Sequence, residues 1–170
     1  MSKQTVITNN AEETKALGAS VVKSLHEVNI IALHGELGSG KTTFVQGIAE
    51  GLGIKKRIIS PTFIIIRKYE VPKFYFSSEV SDNERSREII NKSSRRAALA
   101  RTINLYHIDL YRLEDDAQMN NLGLSEIIED PSNLVVIEWA ERMGNLLPQK
   151  RIDISFEYVD GDKRKVSFHL

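Results

Sequence analysis

Residues 35–42 read Gly-Glu-Leu-Gly-Ser-Gly-Lys-Thr, and this stretch is the most informative part of the sequence. It fits the pattern G-x-x-x-x-G-K-[ST], with an apolar strand predicted before it (residues 29–33) and a helix after it (residues 42–50). Glycines let successive backbone N–H groups turn inward around phosphate oxygens, and the helix N-terminus adds the positive end of its dipole. We therefore predict a phosphate-binding loop that consists of Gly35, Glu36, Leu37, Gly38, Ser39, Gly40, Lys41 and Thr42, with Thr43 as its neighbour.

Two residues of this loop have predicted chemical roles. Lys41 is expected to reach the β- and γ-phosphates of a nucleotide, and the Thr42 hydroxyl is expected to ligate Mg²⁺. The alternative is a glycine turn before an amphipathic helix, with Lys41 merely exposed. Since the four fixed positions coincide by chance in well under ~1% of chains of this length, the pattern favours the phosphate loop.

Two acids follow apolar strands and are candidates for the shell of that metal ion. Asp109 comes after residues 103–108, and Glu138 comes after residues 134–137. A phosphate loop needs a carboxylate at the end of a neighbouring strand, and Glu138 has the cleaner pattern of four apolar residues followed by an acid. Each acid taken alone could instead be an ordinary strand-end residue that faces solvent.

Thr62 and His107 are further candidates with two interpretations each. Pro61 fixes its own φ and pushes Ser60 into extended geometry, so Thr62 could be aimed at the γ-phosphate or the Mg²⁺ shell. The segment could also be a simple turn that enters a strand. His107 could shuttle a proton at a strand end, but a strand histidine satisfied by its neighbours is favoured.

The base-reading motif of GTPases, Asn-Lys-x-Asp, is not matched by this chain. The nearest string, at residues 91–94, lacks the Asp, and residues 109–112 do not supply the Asp-x-x-Gly that GTPases use. The sequence therefore favours ATP over GTP.

The remaining periodicity predicts a mixed sheet with helices on its faces. We expect a helix over residues 11–28 capped by Asn9 or Asn10, a strand over residues 62–69, and a hairpin of residues 152–158 and 165–170 around Asp160-Gly161. Residues 1–170 are predicted to form a single α/β domain. A polar segment at about residues 73–101 is predicted to be a surface insertion.

Composition limits the classes of function. The 170 residues include 23 basic and 23 acidic side chains and no cysteine, which excludes disulfides, thiolate catalysis and cysteine-based zinc sites. No run approaches ~18 apolar residues and no signal-peptide pattern is seen, so we expect a cytoplasmic protein without a membrane segment. The zero net charge is a cancellation: residues 84–101 contain six basic and two acidic residues, and residues 109–130 contain one basic and seven acidic residues.

The motifs together resemble the TsaE (formerly YjeE) family, the bacterial P-loop ATPases of tRNA threonylcarbamoyladenosine biosynthesis. The strings that carry the resemblance are residues 35–44, Ser-Pro-Thr-Phe at 60–63, Leu-Tyr-His-Ile-Asp-Leu-Tyr-Arg-Leu at 105–113 and Ile-Glu-Trp at 137–139. The resemblance implies a three-layer αβα, P-loop NTPase-like fold with a mixed, partly antiparallel sheet and a C-terminal β-hairpin. It also implies partners of the TsaD and TsaB kinds, which act with this family on adenosine 37 of tRNA.

The resemblance also implies roles for individual residues. Thr42 and Glu138 would bind Mg²⁺, Asp109 would act in hydrolysis, and Thr62 would be a switch threonine. Trp139 would lie near the nucleotide, and Ala11 and Lys163 would lie near its base. ATP hydrolysis would support repeated turnover of the partner complex and would be slow without the partners.

Two alternatives remain open from the sequence. The chain could be a nucleotide-gated interaction module without significant hydrolysis. It could also be a small-molecule kinase, with the basic residues 85–101 as a lid over the phosphates. The basic insertion could also contact tRNA locally, although a net charge of zero argues against a stand-alone tRNA binder.

Overall fold

The computed structural model describes residues 3–23, 25, 28–72, 104–113, 118–119 and 122–169. The insertion predicted at about residues 73–101 lies outside the described residues. Within the described ranges the strands are β1 (Lys3–Thr8), β2 (Ile30–His34), β3 (Ile66–Glu70), β4 (Asn104–Asp109), β5 (Asn133–Glu138), β6 (Ile152–Asp160) and β7 (Lys163–His169). The helices are α1 (Ala11–Val22), α2 (Lys41–Gly51), α3 (Leu124–Glu129) and a 3₁₀ helix (Ala140–Leu146).

All seven described strands form one mixed sheet in the order β1-β7-β6-β2-β5-β4-β3. The four central strands, β6, β2, β5 and β4, are parallel, while β1, β7 and β3 pair antiparallel with their neighbours. The predicted mixed sheet and C-terminal hairpin are therefore confirmed. The hairpin turns at Gly161, where φ is 48°, and has a bulge between Tyr158 and Asp160.

Helices cover both faces of the sheet. Successive side chains of β2 point to opposite faces, and they show which residues face which helical layer. Ile31 and Leu33 pack in a core with α1 and α2, while Ile30 and Ala32 pack in a second core with α3 and the 3₁₀ helix. The same period of two places residues 105, 107 and 109 of β4 and residues 134, 136 and 138 of β5 on the α1–α2 side. The candidate acids thus end their strands on the face that carries α2.

Helices α1 and α2 approach closely through glycines. A Cβ on Gly47 would lie 2.0 Å from the carbonyl oxygen of Lys15, and a Cβ on Gly18 would lie 2.3 Å from that of Phe44. No side chain fits at either distance, so the two helices can pack this closely only with glycine at both positions. This packing fixes α2, whose first residues are Lys41 and Thr42.

The structure corrects two local predictions, the end of the first helix and the start of the strand predicted over residues 62–69, and it confirms Asn10 as the helix cap. The first helix ends at Val22 instead of residue 28, and its cap is Asn10, whose side chain accepts the Glu13 N–H at 2.8 Å. The strand predicted from residue 62 begins at Ile66. A turn precedes it, in which the N–H groups of residues 64 and 65 both donate to the Pro61 carbonyl. The sequence analysis gives no element over Ala140–Leu146, where the structure has a 3₁₀ helix whose backbone is non-helical at Gly144.

Candidate functional site

The loop between β2 and α2 has the backbone that its glycines predict. Gly35, Gly38 and Gly40 adopt φ values of 135°, 75° and 101°, a region that side-chain-bearing residues rarely enter. A Cβ on Gly35 would also lie 2.4 Å from the Phe156 carbonyl oxygen. The loop therefore requires glycine both for its conformation and for its close approach to β6.

Lys41 is held inside this loop. Its Nζ donates to the carbonyl oxygens of Gly35 at 2.6 Å and Glu36 at 2.9 Å, and it lies 4.2 Å from the centroid of the Trp139 ring. Burial lowers the pKa of Lys41, and the Glu138 carboxylate acts in the opposite direction. The alternative of a merely exposed lysine is wrong, since only 4% of the residue is accessible to solvent.

Glu138 joins three elements. Its carboxylate accepts the Thr42 hydroxyl, with Oγ1 at 2.8 Å from Oε1 and 3.0 Å from Oε2. Its Oε1 also lies 2.7 Å from Nε2 of His107, which is fully buried. The two residues predicted to bind Mg²⁺ are therefore in direct contact, and the interpretation of His107 as a strand histidine satisfied by a neighbour is supported for this nitrogen.

Asp109 lies beside Glu138 but has different partners. The two acids are register partners in the parallel pair β4–β5, and each is 3% exposed. Asp109 Oδ2 accepts the hydroxyls of Ser60, at 2.7 Å, and Thr62. Its Oδ1 accepts the Tyr111 N–H at 3.0 Å. Asp109 and Thr62, predicted separately, thus form one hydrogen-bonded group.

Ser60 is a site residue that the sequence analysis did not propose. Its hydroxyl precedes Pro61 and contacts the same carboxylate oxygen as Thr62, two residues later. The fixed geometry of Ser-Pro-Thr was the available signal, because a proline between two hydroxyl residues holds both of them in defined directions.

Trp139 occupies a left-handed backbone conformation, with φ of 58° and ψ of 43°. This conformation is unusual for a large side chain, and such outliers cluster at functional sites. The ring packs 5.1 Å from that of Tyr111, and the Arg142 guanidinium lies 5.8 Å from both rings. With Lys41 against one side, Trp139 forms an aromatic and cationic wall next to the loop.

The first helix and the final hairpin both reach the loop, and the predicted place of Ala11 and Lys163 near a nucleotide base stays a prediction. Ala11 starts α1 and Lys163 starts β7, and both are exposed. The hairpin contact is made by Arg164, whose Nη2 donates to the Gly38 carbonyl at 3.2 Å. A Cβ on Gly40 would lie 3.8 Å from side-chain carbons of both Arg164 and Thr14. In sequence, Arg164 resembles a solvated hairpin charge and gives no signal of this contact.

The described part of the chain contains no group of three or more His, Cys, Asp or Glu residues that could hold a metal ion. Mg²⁺ does not require one, since it is often bound by one or two protein oxygens together with phosphates and water. The Thr42 hydroxyl and the Glu138 carboxylate are oxygen donors in mutual contact, so their chemistry fits Mg²⁺.

No helix among the described residues is long and apolar enough to span a membrane.

Comparisons with known proteins agree with one another. The family model described as "Threonylcarbamoyl adenosine biosynthesis protein TsaE" matches residues 8–78 and 89–166. The chain is 34% identical over 161 residues to the tRNA threonylcarbamoyladenosine biosynthesis protein TsaE of Bacillus subtilis (strain 168), covering 95% of this chain and 82% of that protein. It is 33% identical over 165 residues to the protein of the same name from Rickettsia bellii, covering 96% and 92%. The crystal structure of Bacillus subtilus YdiB matches with a TM-score of 0.67 and 29% identity, covering 98% of this chain and 84% of that chain.

Proposed function

The chain belongs to the TsaE family of threonylcarbamoyl adenosine biosynthesis proteins, and from that premise we propose that it is a Mg²⁺-dependent ATPase of tRNA N6-threonylcarbamoyladenosine modification. The observation that carries the proposal is the contact between the Thr42 hydroxyl and the Glu138 carboxylate. It joins the first turn of the helix after the glycine loop to a strand-end acid. That pairing is the one expected of a nucleotide site with Mg²⁺ in a P-loop NTPase-like fold.

The loop would bind the phosphates of ATP through its backbone. Gly35, Gly38 and Gly40 turn the main chain, and the N-terminus of α2 adds a positive dipole end. Lys41 would exchange its loop carbonyl partners for phosphate oxygens. Thr14 and Arg164 border the loop from α1 and β7, the elements that begin with Ala11 and Lys163, so the base would lie on that side.

Thr42 and Glu138 would hold Mg²⁺, which when bound neutralises charge on the phosphate oxygens. Asp109 would position or polarise water, or would belong to the outer shell of the metal. Thr62 would act as a switch, because its hydroxyl donates to Asp109 and its turn leads into exposed residues. Trp139 would shield the reacting phosphates from solvent beside Lys41.

ATP turnover would serve a complex and would not transfer the carbamoyl group itself. We place the chain in the cytoplasm with partners of the TsaD and TsaB kinds, which would act on adenosine 37 of tRNA. Hydrolysis by the isolated chain would be slow, because the partners would complete the site. The insertion at about residues 73–101 would meet a partner or tRNA locally.

Turnover measurements on variants test this proposal. Lys41→Ala and Glu138→Ala should fold and lose Mg²⁺-dependent ATP turnover, measured with the partner proteins present. Lys23→Ala is a matched charge control, since Lys23 is exposed at the opposite end of α1 from the loop. Wild-type turnover in both site variants would contradict the assignment.

A second candidate, a nucleotide-gated interaction module, is favoured by one feature. Thr62 connects the site to Phe63 and Ile64, which are 81% and 53% exposed. Nucleotide binding alone could therefore reshape a surface for a partner. If a non-hydrolysable ATP analogue supports repeated tRNA modification as well as ATP does, this second function is correct and the ATPase role is not.

A further inference from the structure

His107 has two ring nitrogens in very different environments. The residue is fully buried on the side of β4 that faces α2. Nε2 lies 2.7 Å from Oε1 of Glu138, whereas Nδ1 is buried and has no hydrogen-bond partner among the described residues. Leu105, two residues earlier on the same side, is also fully buried and packs in the apolar core. An apolar residue at position 107 could pack in the same way without leaving a nitrogen unpaired.

This asymmetry selects one form of the ring. A buried N–H without an acceptor is unfavourable, so Nδ1 carries a lone pair and no proton. The ring proton then lies on Nε2 and is donated to the Glu138 carboxylate. The tautomer is assigned from this hydrogen-bond network.

The donated proton limits how the Glu138 carboxylate can turn. The Thr42 hydroxyl lies at nearly equal distances from the two carboxylate oxygens, 2.8 and 3.0 Å, and so does not by itself choose between orientations. His107 bonds only Oε1, and it does so from a different element, β4. Two donors from two elements fix the plane of the carboxylate, while Thr42 is the one contact of Oε2 among the residues that the structure describes.

We propose that His107 is a positioning residue whose Nε2–H holds Glu138 in the orientation that lets Glu138 and Thr42 serve one Mg²⁺ ion. The proposal rests on the proposed function, because it assumes that these two residues bind the metal. A residue that orients a metal-binding carboxylate sets the affinity for the metal without touching it. It should therefore leave binding of ATP by the backbone of the loop unchanged when Mg²⁺ is absent.

Calorimetric titration of the full chain with ATP, once with Mg²⁺ and once with EDTA, tests the proposal. His107→Leu removes the donor at similar volume and should weaken binding with Mg²⁺ by about 10-fold or more, with little change in EDTA. His107→Gln keeps an N–H at about the position of Nε2 and should retain most of the Mg²⁺ effect. Leu105→Val is the matched control: it should destabilise β4 and leave the Mg²⁺ effect at the wild-type value.

The outcomes separate this inference from the proposed function. Wild-type protein that binds ATP equally with Mg²⁺ and EDTA would overturn both. A normal Mg²⁺ effect in His107→Leu, or a loss in His107→Gln as large as in His107→Leu, would overturn the role of His107 alone. Should the leucine variant fail to fold, ¹⁵N NMR of wild-type histidines at neutral pH gives the answer. A proton on Nε2 and none on Nδ1 is expected for His107, and a proton on Nδ1 would overturn the proposal.

Discussion

Glu138 and Asp109 end adjacent parallel strands as register partners and are equally buried, yet they are held in different ways. The partners of Glu138 belong to α2 and β4, both of which are part of the core. Asp109 is bonded by Ser60 and Thr62, which lie in the turn before β3 and next to the exposed Phe63.

Equal burial therefore does not imply equal freedom to move for these two acids. An acid bonded to core elements is preorganised, because its partners cannot move without disrupting the sheet or α2. An acid bonded to a turn can respond when that turn moves. We infer that Glu138 is the fixed member of the pair and Asp109 the one that senses the state of residues 60–65.

The largest effect is expected for the close packing of α1 against α2, the helix that carries Thr42, a partner of Glu138. Gly47→Ala would place a Cβ 2.0 Å from the Lys15 carbonyl oxygen and push α2 away from α1. We expect the free energy of unfolding to fall by about 3 kcal/mol or more. Urea unfolding of the full chain measures it. Gly161→Asn is the control: its turn position has open space and suits asparagine, so a change within ~0.5 kcal/mol is expected. An equal change in the free energy of unfolding of the two variants would mean that the contact between Gly47 and α1 does not fix α2.

The second prediction concerns the turn before β3, whose Thr62 is bonded to Asp109. Thr62→Val removes one donor to Asp109 with almost no change of shape. Turnover of ATP should fall by about 10-fold, while the effect of Mg²⁺ on ATP affinity should stay at the wild-type value. Steady-state kinetics with calorimetry on the same samples checks both. A reduced effect of Mg²⁺ on ATP affinity would show that the role of Glu138 depends on the hydrogen bonds of Asp109. That result would contradict the contrast drawn between the two acids.

The sequence predicted the loop, the two strand-end acids and the hairpin because each has a local signature: glycine spacing, an apolar run before an acid, and Asp-Gly between alternating residues. It missed Arg164 and Thr14, whose relation to the loop arises only when α1 and β7 meet at Gly40. It also missed the pairing of Thr62 with Asp109, which are 47 residues apart. These features depend on tertiary contacts that no local pattern encodes.

The smallest expected effect concerns how the start of the loop is fixed. His34 ends β2 directly before Gly35, and its ring nitrogens lie 3.1 Å from Glu141 and 2.8 Å from Asp153, which Arg151 also bonds. The hydrogen bond to Glu141, with a smaller contribution from Asp153, raises the pKa of His34, against the effect of burial.

A raised pKa in the folded state means that the charged ring stabilises the fold fully below its ordinary pKa of 6.5. This contribution is lost as pH rises through the higher folded pKa. The difference in unfolding free energy between wild type and His34→Gln should therefore shrink as pH increases above about 6.5. Urea unfolding over a series of pH values measures it, and a difference that grows with pH would contradict the assignment.

We propose that Glu138 holds the metal and that Asp109, of its two possible roles, positions or polarises water. The most direct test is the affinity for ATP with Mg²⁺ and with EDTA, measured by calorimetry for Glu138→Gln and Asp109→Asn. We predict that Glu138→Gln lowers the affinity with Mg²⁺ by about 10-fold to 100-fold and not the affinity in EDTA. Asp109→Asn should retain the wild-type Mg²⁺ effect while losing turnover. Equal loss of the Mg²⁺ effect in both variants, or none in either, would contradict the account.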